Sequence, residues 1–418
     1  MDRMRIVGGK ALHGVIQAGG SKNAALPILI SSLLAPGKST FLRVPELQDI
    51  RTILKILQYM GVENHWDREA KRVELNAATI HTKVAPYDLV RTMRASVVVL
   101  GPLLARFGEA KVSLPGGCAI GARPIDFHLT GLEKLGAQIE LAGGYVIAKA
   151  KRLRGARVAF EFPSVGATQN VMMAATLAQG ESVLENCARE PEIVDLAHAL
   201  RAMGAELEGE GTETIRVQGK DELHPCQHAI MGDRIEAGTF LAAGLATDGD
   251  VTVTGLAPEH LEAVSARFEE CGAKIFRAPD SIRLVSQGRP KAIDLTTTPY
   301  PGFPTDMQAQ LMAVLMLAQG TSVVTETIFE NRFMHIPELC RLGADIKIKG
   351  RVATITGVDH LVGAPLMATD LRASASLIIG GLCAKGETQI SRIYHLDRGY
   401  ERMEEKLTQL GAQIERIL

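Results

Sequence analysis

Cys118 stands in the run Leu114-Pro-Gly-Gly-Cys-Ala-Ile-Gly-Ala-Arg-Pro124, framed by three glycines and two prolines and followed by Arg123. Such a run supports neither helix nor strand, so it predicts a turned or lid-like loop. A lone cysteine is either a small packing residue or, where it is accessible and beside a cation, a reactive thiol. The other five cysteines (187, 226, 271, 340 and 383) fall in or beside predicted helices and strands and read as structural. A second set of candidates opens predicted helices: Ser21-Lys22-Asn23, Arg94-Ala95-Ser96, Ser164-Val165-Gly166, Arg234 to Gly238, Thr305-Asp306 and Asp370-Leu371-Arg372. Unpaired N–H groups and the helix dipole make such ends suited to anions. Ordinary capping by Ser, Thr or Asp is the alternative. Lys22, Arg94 and Arg372 favour the anion, because a cation is disfavoured at a helix N-terminus unless a negative charge answers it. For Asp370 two readings stay open, a cap or a second acid/base group.

What positions these residues is a repeat. A helix that stops at glycine recurs at Gly61, Gly136, Gly204, Gly272, Gly343 and Gly411, with separations of 75, 68, 68, 71 and 68 residues. Each repeat reads as a helix of small apolar residues (170–179 or 307–319), a short strand (181–185, 250–254, 321–325, 387–391), an amphipathic helix and two further strands. The amphipathic helix is typified by Ile193, Leu196, Leu200 and Met203. The sixth repeat ends a strand short at the C-terminus, and Met4-Arg-Ile-Val7 reads as the missing piece. The expected organisation is therefore two α/β domains of three repeats each: residues 22–229, carrying the Cys118 loop, and residues 1–21 together with 230–418.

Composition removes several function classes. A net charge of −1 and only 4% aromatic residues give neither the basic footprint nor the stacking surfaces of a nucleic-acid binder. The apolar stretches 24–36 and 95–105 are too short to span a bilayer. The six cysteines form no CxxC pair, so structural zinc and a disulfide framework are not expected, and a reducing cytoplasm fits best.

Several stretches together resemble the UDP-N-acetylglucosamine 1-carboxyvinyltransferase family over essentially the whole chain. They are Gly19-Gly-Ser-Lys-Asn-Ala-Ala-Leu26, Arg94-Ala-Ser96, the Cys118 loop through His128, Phe303-Pro-Thr-Asp-Met-Gln-Ala-Gln310, Glu330-Asn-Arg-Phe-Met334, Ala368-Thr-Asp-Leu-Arg-Ala-Ser374 and Tyr394-His-Leu-Asp-Arg-Gly-Tyr-Glu401. The resemblance implies a two-domain inside-out α/β barrel with its active site in the interdomain cleft, and a part in peptidoglycan synthesis, hence in cell-wall biogenesis, cell shape and division. It implies that Lys22, Arg123 and Arg398 hold phosphoenolpyruvate, with Arg372 near its carboxylate and Asn23 and Arg94 lining the same site. Arg94, Arg123, Pro124, Ile125, Asp126 and Phe127 would also meet UDP-N-acetylglucosamine, the last four at its uridine. Ser164, Val165 and Gly166 would meet the diphosphate, and Asp306 and Ile328 the sugar. Phe162 departs from relatives that carry Lys there, and Arg91 likewise stands where others have Lys.

The implied chemistry is addition followed by elimination, with Cys118 as acid and possible site of a pyruvate adduct, Asp306 as base, and no metal or cofactor because cations offset the substrate charge. A phosphonate epoxide such as fosfomycin should alkylate Cys118. His128, His335 and His395 read as ordering local structure. Arg332 either closes over the site or forms a surface ion pair. Two rival functions remain at this level: the shikimate-pathway enolpyruvyl transferase, and a catalytically silent UDP-sugar-binding regulator.

Overall fold

The computed structural model describes residues 2–91, 93–114 and 125–417. Cys118, Arg123 and Pro124 lie outside the described residues. Two compact units divide the chain: a first of described residues from 20–114 and 125–231, and a second of residues 2–19 with 232–417.

Among the described residues are six four-stranded sheets, three in each unit. One repeat shows how they arise. The strand Arg157–Ala159 leads into a helix, crosses to a parallel partner Glu181–Glu185, and continues through a second helix to Glu206–Glu208 and Thr214–Gln218. Thr214–Gln218 pairs antiparallel with both neighbours. Opposed residues such as Leu184 and Ile215 are fully buried while their sequence neighbours are not, the period-2 signature of a sheet with one face on the core.

The first helix of each repeat is the inner one: α1 Lys22–Ser31, α2 Leu100–Phe107 and α3 Val165–Ala175 in the first unit, α4 Arg234–Ala246, α5 Gln308–Leu315 and α6 Leu371–Cys383 in the second. Every residue of α4 and α5 is buried. A helix that is apolar or small all round can only sit inside. Within the second unit α4, α5 and α6 pack on one another, and in the first α2 and α3 do so. Gly101 permits that approach, since a Cβ there would lie 2.3 Å from the Asn170 carbonyl oxygen. The outer helices are amphipathic: Ile193, Leu196, Leu200 and Met203 are all fully buried.

Two details depart from the sequence reading. α3 and α5 end at 175 and 315 rather than 179 and 319, because Gln179 and Gln319 already pair as bridges with Arg154 and Lys291. The first sheet takes its edge strand from far along the chain, where Gln227–Ala229 lies parallel to Lys38–Leu42. In the second unit Arg3–Val7 sits between Glu387–Ser391 and Gln413–Ile417, filling the strand position that the sixth repeat lacks, and His13–Gln17 pairs parallel with Asp250–Thr254. All six helix-stop glycines are left-handed, with Gly61 at φ 110°. At Gly61 a Cβ would also lie 2.7 Å from the His81 ring.

Candidate functional site

In the first unit the candidate cations sit at helix starts. Ser21 caps α1, its hydroxyl accepting from the Ala24 N–H at 3.4 Å, and Lys22 follows at 9% exposure. A buried ammonium needs a counter-charge. Asp49, at the start of the helix Gln48–Met60, supplies one with its carboxylate 3.5 Å from Nζ. The sequence reading missed Asp49, whose only signal is an acid in the first turn of an outer helix. Asn23 is half-buried beside Lys22.

Arg94 opens a short 3-10 helix and faces buried His128. Gly101 N–H donates to Asn170 Oδ1 at 2.7 Å, so the Asn170 amide nitrogen faces His128 Nδ1, 3.1 Å away, and the neutral ring carries its hydrogen on Nε2. Nε2 borders the start of α3, where a Cβ on Gly166 would lie 3.2 Å from it. Ser164 caps that helix through the Ala167 N–H at 3.4 Å, and Ser164, Val165 and Gly166 are half-buried. Ile125 and Phe127 are half-buried, and Asp126 is exposed at the start of the helix Asp126–Lys134.

Burial, aided by the Arg94 charge, pushes His128 down to about 4. In the second unit burial likewise pushes His335 down to about 4, against the opposing pull of Asp370. A histidine more acidic in the fold than at its ordinary 6.5 gives stability that is complete above that pH and is lost as pH falls towards 4. Each contributes a slope of up to about 1.4 kcal/mol per pH unit. Urea midpoints should therefore drop between pH 6.5 and 4, and His128→Gln should flatten the slope by about one proton. An unchanged slope would show that His128 is protonated in the fold.

The second unit gathers Asp306, Arg332 and Arg372. Arg332 Nη2 donates to Asp306 Oδ1 at 2.8 Å, and Arg372 donates to Oδ2 from Nη2 at 3.1 Å and from Nε at 3.3 Å. Both arginines are buried, at 5% and 3% exposure. Of the two readings left open for Arg332, the surface ion pair is corrected to a buried one, because its partner is Asp306 and the arginine side chain is itself buried. Burial opposes the Arg372 charge, but Asp306, Tyr400 and Asp233 outweigh it and raise the guanidinium's pKa. Its guanidinium lies 5.5 Å over the Tyr400 ring. The Tyr400 hydroxyl in turn meets Thr239 at 2.9 Å and the Gln310 amide at 3.2 Å, a buried network under the ion pairs.

Asp370 caps α6, its Oδ1 accepting from the Arg372 and Ala373 N–H groups at 2.9 and 3.0 Å. Asp233 caps α4 in the same manner. The starts of α4 and α6 therefore hold their own carboxylates, whereas α1 and α3 in the first unit have neutral serine caps. Half-buried Arg398 ends the 3-10 helix Ile393–Arg398, where its charge, after burial, lowers the basicity of His395. Ile328 is half-buried, with its N–H donated to Glu326 Oε1 at 2.8 Å.

Arg91 is exposed and 4.0 Å from Asp88. A cavity of about 1030 Å³ in the first unit, lined among others by Arg106, Lys149 and Asp221, includes none of the candidate residues. Burial pushes the Cys187, Cys271 and Cys383 thiols up to about 12 and Cys226 up to about 11. Cys340 is the exposed exception to the expected burial, because it lies on the outward side of the helix Ile336–Arg341. Among the described residues no group of three or more His, Cys, Asp and Glu is placed to hold a metal, and no helix is long and apolar enough to cross a membrane.

Residues 6–407 match the family model described as EPSP synthase (3-phosphoshikimate 1-carboxyvinyltransferase). The crystal structure of the enolpyruvyl transferase NikO from Streptomyces tendae superposes with a TM-score of 0.89 at 25% identity, covering 100% of this chain and 99% of that one. An EPSP synthase from Acinetobacter baumannii shares the fold, with a TM-score of 0.75 at 18% identity and 100% of each chain covered. The architecture is thus that of the two-domain enolpyruvyl transferases. Curated relatives narrow the class. A UDP-N-acetylglucosamine 1-carboxyvinyltransferase from Myxococcus xanthus is 58% identical over 100% of this chain and 99% of its own, and one from Trichlorobacter lovleyi is 56% identical over 100% and 99%. The chain belongs to the UDP-N-acetylglucosamine 1-carboxyvinyltransferase family within that class.

Proposed function

We propose that the chain transfers the enolpyruvyl group of phosphoenolpyruvate to the 3′-hydroxyl of UDP-N-acetylglucosamine and releases phosphate, in the cytoplasm, at the entry to peptidoglycan precursor synthesis. The observation that carries this reading is 58% identity, end to end, with a relative named for that reaction. Lys22, Arg123 and Arg398 carry the donor's phosphate, Arg372 its carboxylate, and Asn23 and Arg94 stand beside them. Guanidinium groups suit both anions because they offer paired donors. Pro124, Ile125, Asp126 and Phe127 take the uridine. Ser164, Val165 and Gly166 take the diphosphate, at a helix start whose cap is a neutral hydroxyl and whose dipole is therefore unanswered. Asp306 and Ile328 take the sugar.

Cys118 protonates the donor's methylene carbon, and the sugar 3′-oxygen bonds to carbon two as Asp306 accepts its proton. The methyl group of the tetrahedral adduct then returns a proton to the Cys118 thiolate as the carbon–oxygen bond to phosphate breaks. The departing phosphate oxygen takes the proton held by Asp306, and the enol ether and inorganic phosphate leave. Arg372 serves the donor only after loosening its hold on Asp306, which also frees the carboxylate oxygen that takes the proton. Phosphate release should require both phosphoenolpyruvate and UDP-N-acetylglucosamine, with shikimate 3-phosphate inactive as acceptor. Release that is absent with both substrates, or that survives omission of either, would sink the reading.

A further inference from the structure

We propose that Glu326 is a positioning residue for the acceptor, fixing in one buried carboxylate both segments that hold the sugar. The proposal rests on the assignment of Asp306 and Ile328 to the sugar nucleotide and deepens it. Glu326 follows the strand Thr321–Thr325 and is 1% exposed. Its Oε2 accepts from the Thr305 hydroxyl at 2.8 Å. Thr305 opens the single turn Thr305–Met307 that carries Asp306. Oε1 accepts from the Ile328 N–H at 2.8 Å, the Phe329 N–H at 3.1 Å and the Thr297 hydroxyl at 2.9 Å. The Thr297 hydroxyl also accepts from the Thr327 N–H at 3.0 Å, which closes the loop on the same side. Glu326 itself is held by its backbone N–H on the Arg351 carbonyl oxygen.

The chemistry sets this residue apart from a packing residue. A carboxylate out of contact with water is tolerated only when donors satisfy it, and here its two oxygens are divided between two segments far apart in sequence. A displacement of Glu326 therefore moves Asp306 and Ile328 together. Glutamine keeps the size but not the charge: its oxygen can still accept from the Ile328 side, while its amide nitrogen must donate to Thr305 and reverse that bond. Glu326→Ala loses both.

The test is steady-state kinetics of phosphate release with each substrate varied in turn. Glu326→Gln should raise KM for UDP-N-acetylglucosamine by about tenfold, the size of one charge-assisted hydrogen bond, and leave KM for phosphoenolpyruvate within about twofold. Glu326→Ala should act in the same direction and further. Thr305→Val, which deletes one hydroxyl and keeps the shape, should reproduce part of the acceptor effect and guards against a misfolded Glu326→Ala. Equal rises in both KM values, or wild-type constants in Thr305→Val and Glu326→Gln, would overturn the proposal. Wild-type protein that releases no phosphate would instead overturn the functional reading beneath it.

Discussion

Asp306→Asn should lower kcat by about 10²–10⁴-fold, the ordinary loss when a general base is removed. The variant should also be less stable, for a separate reason. Asp306 is the shared partner of two arginines, Arg332 at 2.8 Å and Arg372 at 3.1 Å, and both are buried. Arg372 Nη1 already has no hydrogen-bond partner among the described residues. The amide keeps an acceptor oxygen but removes the negative charge that offsets two guanidinium groups. Breaking a buried pair from one side costs about 3–5 kcal/mol, and the 27% exposure of the Asp306 side chain puts this case at the lower end. The two effects are separable. Thermal melting reads the stability loss, and single-turnover phosphate release at a temperature where the variant is fully folded reads the chemical one. Wild-type turnover by folded Asp306→Asn would remove this carboxylate from proton transfer.

In the proposed mechanism the bridged carboxylate would serve as base only once one of its arginines withdraws. Both oxygens of Asp306 are engaged by guanidinium groups. Withdrawal of Arg372 towards an arriving carboxylate would restore one lone pair, so the base becomes competent only when the donor is present. The capping chemistry divides the work in the same way. Carboxylate caps at Asp233 and Asp370 quench the dipoles of α4 and α6, and Arg372 of α6 pairs with Asp306. Serine caps at α1 and α3 leave the dipole fields intact where Lys22 and Gly166 stand.

Sequence spacing revealed the repeat because each copy must stop its outer helix with a left-handed residue, and glycine at Gly61, Gly204 and Gly343 is the least strained way to do it. Strands such as Glu181–Glu185 and Asp250–Thr254 were legible to the residue, since alternating burial leaves a period of two. Pairings across the chain were less so. Nothing in Gln227-His-Ala229 announces an edge strand for Lys38–Leu42, because a parallel edge needs backbone groups more than side-chain pattern. The fixed charges at helix starts could be named from sequence, but not their partners. Asp49, Glu326 and Tyr400 are an acid in an outer helix, an acid after a strand and an aromatic after a turn, and only tertiary packing brings them against Lys22, Thr305 and Arg372. The surface alternative for Arg332 failed for the same reason: a charge in a polar loop reads as surface until its buried counter-ion is seen.

Cys118→Ser should lose about 10²–10⁴-fold in turnover while UDP-N-acetylglucosamine binding, measured by calorimetry, stays at the wild-type level. A hydroxyl is a far weaker acid than a thiol, so serine neither protonates the methylene carbon nor forms the thiolate needed for a covalent adduct. The sugar nucleotide, by contrast, is assigned to Ile125 through Phe127, Ser164 through Gly166, Asp306 and Ile328, which the substitution leaves intact. The same thiol should be the one alkylated by fosfomycin, its sulfur bonding to an epoxide carbon as the ring carbon–oxygen bond breaks and the oxygen takes up a proton. Selectivity follows from the other cysteines. Cys187, Cys226, Cys271 and Cys383 are held as thiols by burial, with values pushed up to about 11 or 12. Cys340 is exposed, yet partial burial of its sulfur also raises its pKa, so it is a weak competitor and the natural internal control. Intact-mass spectra should show a single adduct, and peptide mapping should place it within 114–124. An adduct on Cys340 instead, or wild-type turnover by Cys118→Ser, would take this cysteine out of the mechanism.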